Sequence, residues 1–159
     1  MNEIASHPNV LAVEAALRAA GVAPQVRVLP ETAPTAVAAA EQIGCEVAAI
    51  ANSLIFDAAG SPLLVLTSGV HRVDTGKVAA HLGIVKLTRA SAEFVREHTG
   101  QPIGGVAPVG HPAAIRTLID ETLAVHAQIW VAAGHPHTVL PTTFEQLVEI
   151  TGAEAIAVN

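Results

Sequence analysis

Across its 159 residues the chain has no tyrosine, one tryptophan, three phenylalanines and a single cysteine. With so few rings, the interior has to be filled by Val, Leu, Ile and Ala. One cysteine, Cys45, excludes an internal disulfide and a cysteine-based zinc centre, and it reads as a small buried hydrophobe. No apolar run approaches the roughly 20 residues that span a bilayer. The N-terminal "MNEIASHPNV" lacks the basic and apolar regions of a secretion signal, so the expectation is a soluble cytoplasmic protein with no membrane partner. Low-complexity and long polar stretches are also missing. With 51% hydrophobic and 14% charged residues, the composition is that of a folded globular chain with a sizeable core.

Positive charge is scarce as well. A formal net charge of −6 argues against sequence-blind binding to DNA or RNA, because neutralising phosphates needs clustered Lys and Arg. The distribution is nevertheless uneven. Five of the eight basic residues, Arg72, Lys77, Lys86, Arg89 and Arg96, fall within one short stretch. Such a cluster reads either as a solvated face or as a seat for a few phosphates.

Hydrophobic periodicity and stop signals predict helices over 8–21, 35–44, 74–83, 91–100 and 142–152. Thr35, Asp74, Ser91 and Thr142 or Thr143 serve as N-caps, and a glycine closes each helix. Strands are expected in "QVRVLP", "EVAAIANSLIFD", "PLLVLTSG", "IVKLTR", "IRTLIDETL", "QIWVAAG", "HTVLP" and "EAIAV", the second and third forming a hairpin across "DAAGS". "GGVAPVGHP" is too rich in Gly and Pro for regular structure. Helices and strands intermingle without a strict βαβ rhythm, which predicts a mixed-sheet α+β fold in one domain spanning 1–159, with no linker or repeat.

Eight histidines invite a metal reading. His135 and His137 in "GHPHT" share a strand face, with His71, His111 or an acidic residue available as a third zinc ligand. No HExxH or similarly spaced motif supports it. His81 and His98, near helix ends, read as C-terminal charge partners. "TSG" at 67–69 is not a GxSxG elbow, and His71 and Asp74 of "HRVD" adjoin it only in sequence. The loop "GGVAPVG" lacks both the Lys-Ser/Thr ending of a P-loop and the spacing of a dinucleotide fingerprint.

Taken in chain order, "ANSLIF", "LTSGVHRVDTGKVAAHLG", "TGQPIGGVAPVGHP" and "WVAAGHPHTVLPTTFEQLVEITG" resemble the YbaK / prolyl-tRNA synthetase-associated editing domain family. The resemblance runs from about Thr35 to Gly152, and the glycine loop and the "GHP" segment are its most specific parts. It implies a mixed, partly barrel-like β-sheet flanked by helices, and hydrolysis of mischarged tRNA without cofactor or metal. The 3′-terminal aminoacylated adenosine would enter a pocket. By the same resemblance Gly104, Gly105 and Gly134 lie near that pocket, where main chain approaches the adenosine or the carbonyl. His135 orients ribose or water, and Thr35 and Ser68 are further candidates for substrate contact. Arg72 and Lys77, with the rest of the basic segment, would meet acceptor-stem phosphates.

One position departs from the family pattern. The strand matching "ANSLIF" usually carries a lysine that holds substrate near the scissile ester, and here that position is Asn52. Alternation places Asn52 on one face with Ile50, Leu54 and Phe56, a face expected to line the pocket. An unpaired buried amide costs roughly 1–3 kcal/mol, so a polar partner is expected for it. An amide gives and accepts hydrogen bonds but brings no charge. Two rival readings follow: a module that binds the same end without turnover, and a metal-dependent hydrolase built on His135 and His137.

Overall fold

The structure is a computed structural model and describes residues 3–159. The described residues form five helices, four of them set by the expected caps. In α1 (Pro8–Ala19) the His7 ring accepts from the Asn9 N–H. Thr35 caps α2 (Ala36–Ile43) through the Ala38 N–H, and Asp74 and Ser91 cap α3 (Thr75–Leu82) and α4 (Ala92–Thr99) in the same way. Thr143 caps α5 (Phe144–Thr151). A left-handed glycine, Gly44, Gly83, Gly100 or Gly152, closes each of the last four.

The strands are β1 (Arg27–Val28), β2 (Ala51–Ala58), β3 (Ser61–Ser68), β4 (Leu87–Arg89), β5 (Arg116–Asp120), β6 (Ile129–Ala132), β7 (Thr138–Thr142) and β8 (Glu154–Ile156). Five of them form a mixed sheet in the order β4-β2-β3-β5-β8, with β3–β5 and β5–β8 parallel and the rest antiparallel. A smaller antiparallel sheet runs β1-β7-β6. A single bridge, Ile50 with Trp130, joins the two sheets at the foot of β2. The result is a bent α+β assembly that does not close into a barrel.

Where the segments differ from expectation, local chemistry explains it. The run expected as strand from Glu46 begins with a 3-10 turn, Val47–Ala49, because Gly69 packs against the Val47 carbonyl and donates to Ile50 O instead. "IRTLIDETL" stops being strand at Asp120, whose carboxylate caps the turn Glu121–Val125 through Thr122. "QVRVLP" pairs only at Arg27 and Val28.

Burial on both faces of β3 explains its unbroken run "LLVL". Leu64 and Leu66 join Ile119, Ile129, Val131, Leu140, Val13, Leu17 and Leu147 in a core between the sheets. Leu63 and Val65 face the other way, packing with Phe56, Leu118, Val78 and Ala79 under α3. A third, small cluster sits under α2, where Ala39, Ala40 and Ile50 meet Trp130 and Cys45. Cys45 is half-buried, and burial raises its thiol pKa.

One buried carboxylate ties the strand ends together. Asp120, fully buried, accepts from the Ser68 N–H at 3.0 Å, His71 Nδ1–H at 2.7 Å, and the Thr122 N–H and hydroxyl at 3.0 and 2.7 Å. Burial alone would raise its pKa, but the hydrogen bonds from Thr122, His71 and Ser68 outweigh it and hold the carboxyl below its ordinary value. A depressed folded-state pKa contributes stability above the unfolded-state value and loses it as pH falls through the folded one. Replacing Asp120 by Asn should therefore lower stability at neutral pH by roughly 1–3 kcal/mol, the cost of leaving buried donors poorly paired. The loss should shrink as pH falls below about 4, where an ordinary carboxylate in the unfolded chain protonates, and disappear once the folded carboxyl protonates at still lower pH. Urea melts of both proteins from neutral to acidic pH measure it, and parallel stability curves would contradict the assignment.

Candidate active site

Beside the Ile50–Trp130 bridge lies an open cleft with about 70 Å³ of water-accessible space. The segment Ala33–Pro34–Thr35 and the first turn of α2 form one wall, and the start of β2 from Ile50 to Ser53 forms another. Trp130 to Ala132 of β6, Thr138 and Val139 of β7, Pro136, Gly104 and Val106 complete it. Among the described residues, no charged side chain lines this cleft. Its polar side chains are Thr35, Asn52, Ser53, Thr138 and the Trp130 indole.

These polar groups differ in what they have left to offer. The Thr138 hydroxyl is occupied, accepting from the His135 N–H and donating to the His135 carbonyl. Thr35 Oγ accepts from Ala38 N–H as the helix cap, leaving its own proton to donate. Asn52 is exposed at the cleft and its amide makes no hydrogen bond within the described residues. Ser53 Oγ is shut away from solvent, and it is the one buried side-chain polar atom among the described residues without a partner. The first N–H groups of α2 have no partner within the helix and add a positive pole to that wall.

The sequence-predicted residues divide into three groups. Asn52, Thr35 and Gly104 come together in the cleft. Gly105 and Gly134 lie behind its wall, as contacts between main chains. A Cβ on Gly105 would stand 2.8 Å from the His135 carbonyl carbon and 2.9 Å from Pro136 N, so the glycine loop is pressed onto the "GHP" segment. The Gly105 N–H is engaged with Pro102 O at 3.0 Å. Gly134, at φ +104, abuts the start of α1, where a Cβ would lie 2.9 Å from Asn9 O. His135 sits next to Pro136 but outside the lining. Its Nδ1 accepts from His137 N–H, and its ring packs 5.2 Å from His7 and 5.7 Å from His137. Burial, then the neighbouring His7 and His137, lower its pKa, which favours a neutral ring with the proton on Nε2.

The remaining residues lie away from the cleft lining. Ser68 is buried at the end of β3, donating its hydroxyl to Ala48 O and its N–H to Asp120. Arg72 and Lys77 are exposed, and Lys77 Nζ reaches Asn159 O at 2.9 Å. Leu54 and Phe56 correct the face assigned by alternation: they pack into the core under α3, so only the first residues of β2 border the cleft. His71 pairs with Asp120 rather than Asp74, which caps α3. No group of three potential metal ligands gathers among the described residues. His111 contributes none of this chemistry, since its Nε2 bonds to Ala107 O. Ser53 and Trp130 are what sequence reasoning passed over. Ser53 adjoined Asn52 in the same apolar run, and the singularity of the tryptophan was the available signal.

The sequence profile of the family described as "Aminoacyl-tRNA editing domain" matches residues 30–150. The Bacillus subtilis protein YwhH, itself uncharacterized, is 31% identical over 114 residues, covering 71% of this chain and 72% of that protein. Proline–tRNA ligase of Limosilactobacillus fermentum is 33% identical over 90 residues, covering 54% of this chain and 16% of the ligase, so the chain matches only a small part of such enzymes. Among solved structures, a candidate trans-editing enzyme for prolyl-tRNA synthetase superposes with a TM-score of 0.91 at 36% identity, covering 96% of this chain and 98% of that one. A scaffold protein used for epitope backbone grafting gives 0.89 at 34% identity, covering 96% and 97%. With the profile spanning the cleft walls and the glycine loop alike, this chain belongs to the aminoacyl-tRNA editing domain family.

Proposed function

We propose that the protein is a trans-acting aminoacyl-tRNA deacylase that removes a small mischarged amino acid. The observation that carries this reading is the neutral, mostly apolar cleft with Asn52 at its opening, in a chain of the editing-domain family. Ala33, Ala36, Ala51, Val106, Val131 and Ala132 offer surface for a short side chain. The aminoacyl ester would enter with its carbonyl towards the Asn52 amide and the first turn of α2.

In the reaction a water adds to the acyl carbonyl carbon, the bond from that carbon to the ribose oxygen breaks, and the ribose oxygen takes up the proton. Free amino acid and tRNA result. The charge that develops on the carbonyl oxygen needs preorganised donors. The Asn52 NH₂ and the unpaired first-turn N–H groups of α2 are the donors at hand. The neighbouring ribose hydroxyl supplies assistance that would otherwise demand a protein base, consistent with a cleft lined by no titratable side chain. Outside the cleft, Arg72, Lys86, Arg89 and Arg96 are exposed, and every ion pair among the described residues involves a histidine rather than these cations. They are available to acceptor-stem phosphates.

Two measurements test this. Purified protein should deacylate at least one tRNA carrying a small mismatched amino acid, and Asn52→Ala should lower kcat/KM about tenfold, the worth of one lost hydrogen bond in the transition state. A wild type inert across a full panel, with activity gained only in Asn52→Lys, would instead establish the binding module without turnover. Affinity for tRNA should also fall with salt. Neutralising Arg89 or Arg96 should reduce the log–log slope by roughly 0.7–0.9 per phosphate contact removed, and an unchanged slope would place the acceptor stem elsewhere.

A further inference from the structure

We propose that Trp130 is the stacking platform for the terminal adenine base of the tRNA, an assignment that rests on the editing reading of the cleft. The chain holds four aromatic rings of the Phe, Trp and Tyr types, and three are committed to packing. Phe56 is buried in the core under α3, while Phe94 and Phe144 pack against the core between the sheets. Trp130 alone borders the cleft, and it stays partly exposed there.

Its placement follows from β6. Ile129 and Val131 are buried in the main core, so alternation sends Trp130 to the opposite face, towards α2 and the cleft. Arg27 covers one face of the ring, its guanidinium carbon 5.9 Å over the centroid, and the small cluster of Ala39, Ala40 and Ile50 packs against the indole. Arg27 in turn donates to the Gln42 carbonyl at 3.3 Å, anchoring that cation to the end of α2. The base would take the part of the indole that Arg27 leaves free on the cleft side, a fixed and partly exposed surface that costs little ordering entropy on binding.

The chemistry of the cleft leaves the base few other means of attachment. It has no charged side chain, and Thr138 is already paired. Protein sites that take unpaired nucleic acid ends rely on stacking against aromatic side chains, because every base has a π-face. With the base on Trp130 at one end of the cleft, the ribose and its ester lie towards Asn52 and Ser53, which border the same cavity. The indole then contributes binding shared by ground and transition states, and it should govern KM rather than kcat.

Trp130 is the only tryptophan and the chain has no tyrosine, so intrinsic emission reports this one position. Adenosine 5′-monophosphate should quench that emission saturably, and ribose 5-phosphate should leave it unchanged. In deacylation assays Trp130→Ala should raise KM for the mischarged tRNA about 5-fold to 150-fold, the range for one lost base–aromatic stack, with kcat within about twofold. Trp130→Phe, which keeps an aromatic face and the packing under α2, should retain most of the affinity, and thermal melts confirm that each variant folds. Equal quenching by ribose 5-phosphate, no saturable response to the nucleotide, or an unchanged KM in Trp130→Ala would each overturn the assignment. Saturable quenching in a protein that hydrolyses no mischarged tRNA would sink the editing reading and leave the base platform standing. Robust hydrolysis with KM indifferent to position 130 would sink the platform alone.

Discussion

Among the described residues the two sheets share a packed core but only one backbone bridge, Ile50 with Trp130, and the cleft lies beside it. The chain leading into that bridge is wound into the turn Val47–Ala49, which Gly69 holds in place through its contact with Val47 and its bond to Ile50 O. A side chain at position 69 would collide with that turn at 2.6 Å. Gly69 thus fixes two residues that border the cleft, Ile50, to whose carbonyl it donates its N–H, and Ala36, whose Cβ would stand 2.7 Å from any side chain at 69.

The opposite wall depends on a similar constraint. Gly105 lets the glycine loop press directly onto the main chain of His135 and Pro136, and Gly134 lets that segment press onto Asn9 at the start of α1. Three stretches far apart in sequence are stacked backbone to backbone, with no side chain as spacer. Such contacts tolerate no added methyl group, because packed interiors cannot yield the several tenths of an ångström required. These glycines shape the wall, whereas Gly104, exposed at φ +90, is the member of the loop that faces the cleft itself.

Much of this was legible in the sequence, for reasons that are local. Thr35, Asp74, Ser91 and Thr143 announce helix starts because their oxygens meet N–H groups two or three residues on, a geometry written within a single turn. The hairpin of β2 and β3 was equally plain from its polar turn. The face of β2 was not. Alternation groups Asn52 correctly with Leu54 and Phe56 as neighbours along a strand, but it cannot say that α3 covers the latter two while the former stays open. That depends on a helix some twenty residues later. Likewise His71 finds its carboxylate at Asp120 rather than at nearby Asp74, a pairing created by β3 lying parallel to β5.

Asn52 stands exposed at the mouth of a cleft whose lining, among the described residues, carries no charge. Its neutral amide brings two donors and one acceptor oxygen to that opening. Ser53 extends this polarity inward. Its hydroxyl is buried and makes no hydrogen bond within the described residues, an arrangement that costs about 1–3 kcal/mol. Buried polar groups of this kind discriminate by what they leave unpaired, a larger effect than one methylene's difference in apolar contact. Polarity is therefore concentrated where the acyl group would lie, and aromatic surface where the base would lie. Under the proposed editing reading, one cleft would then separate recognition of a tRNA end from recognition of the amino acid it carries.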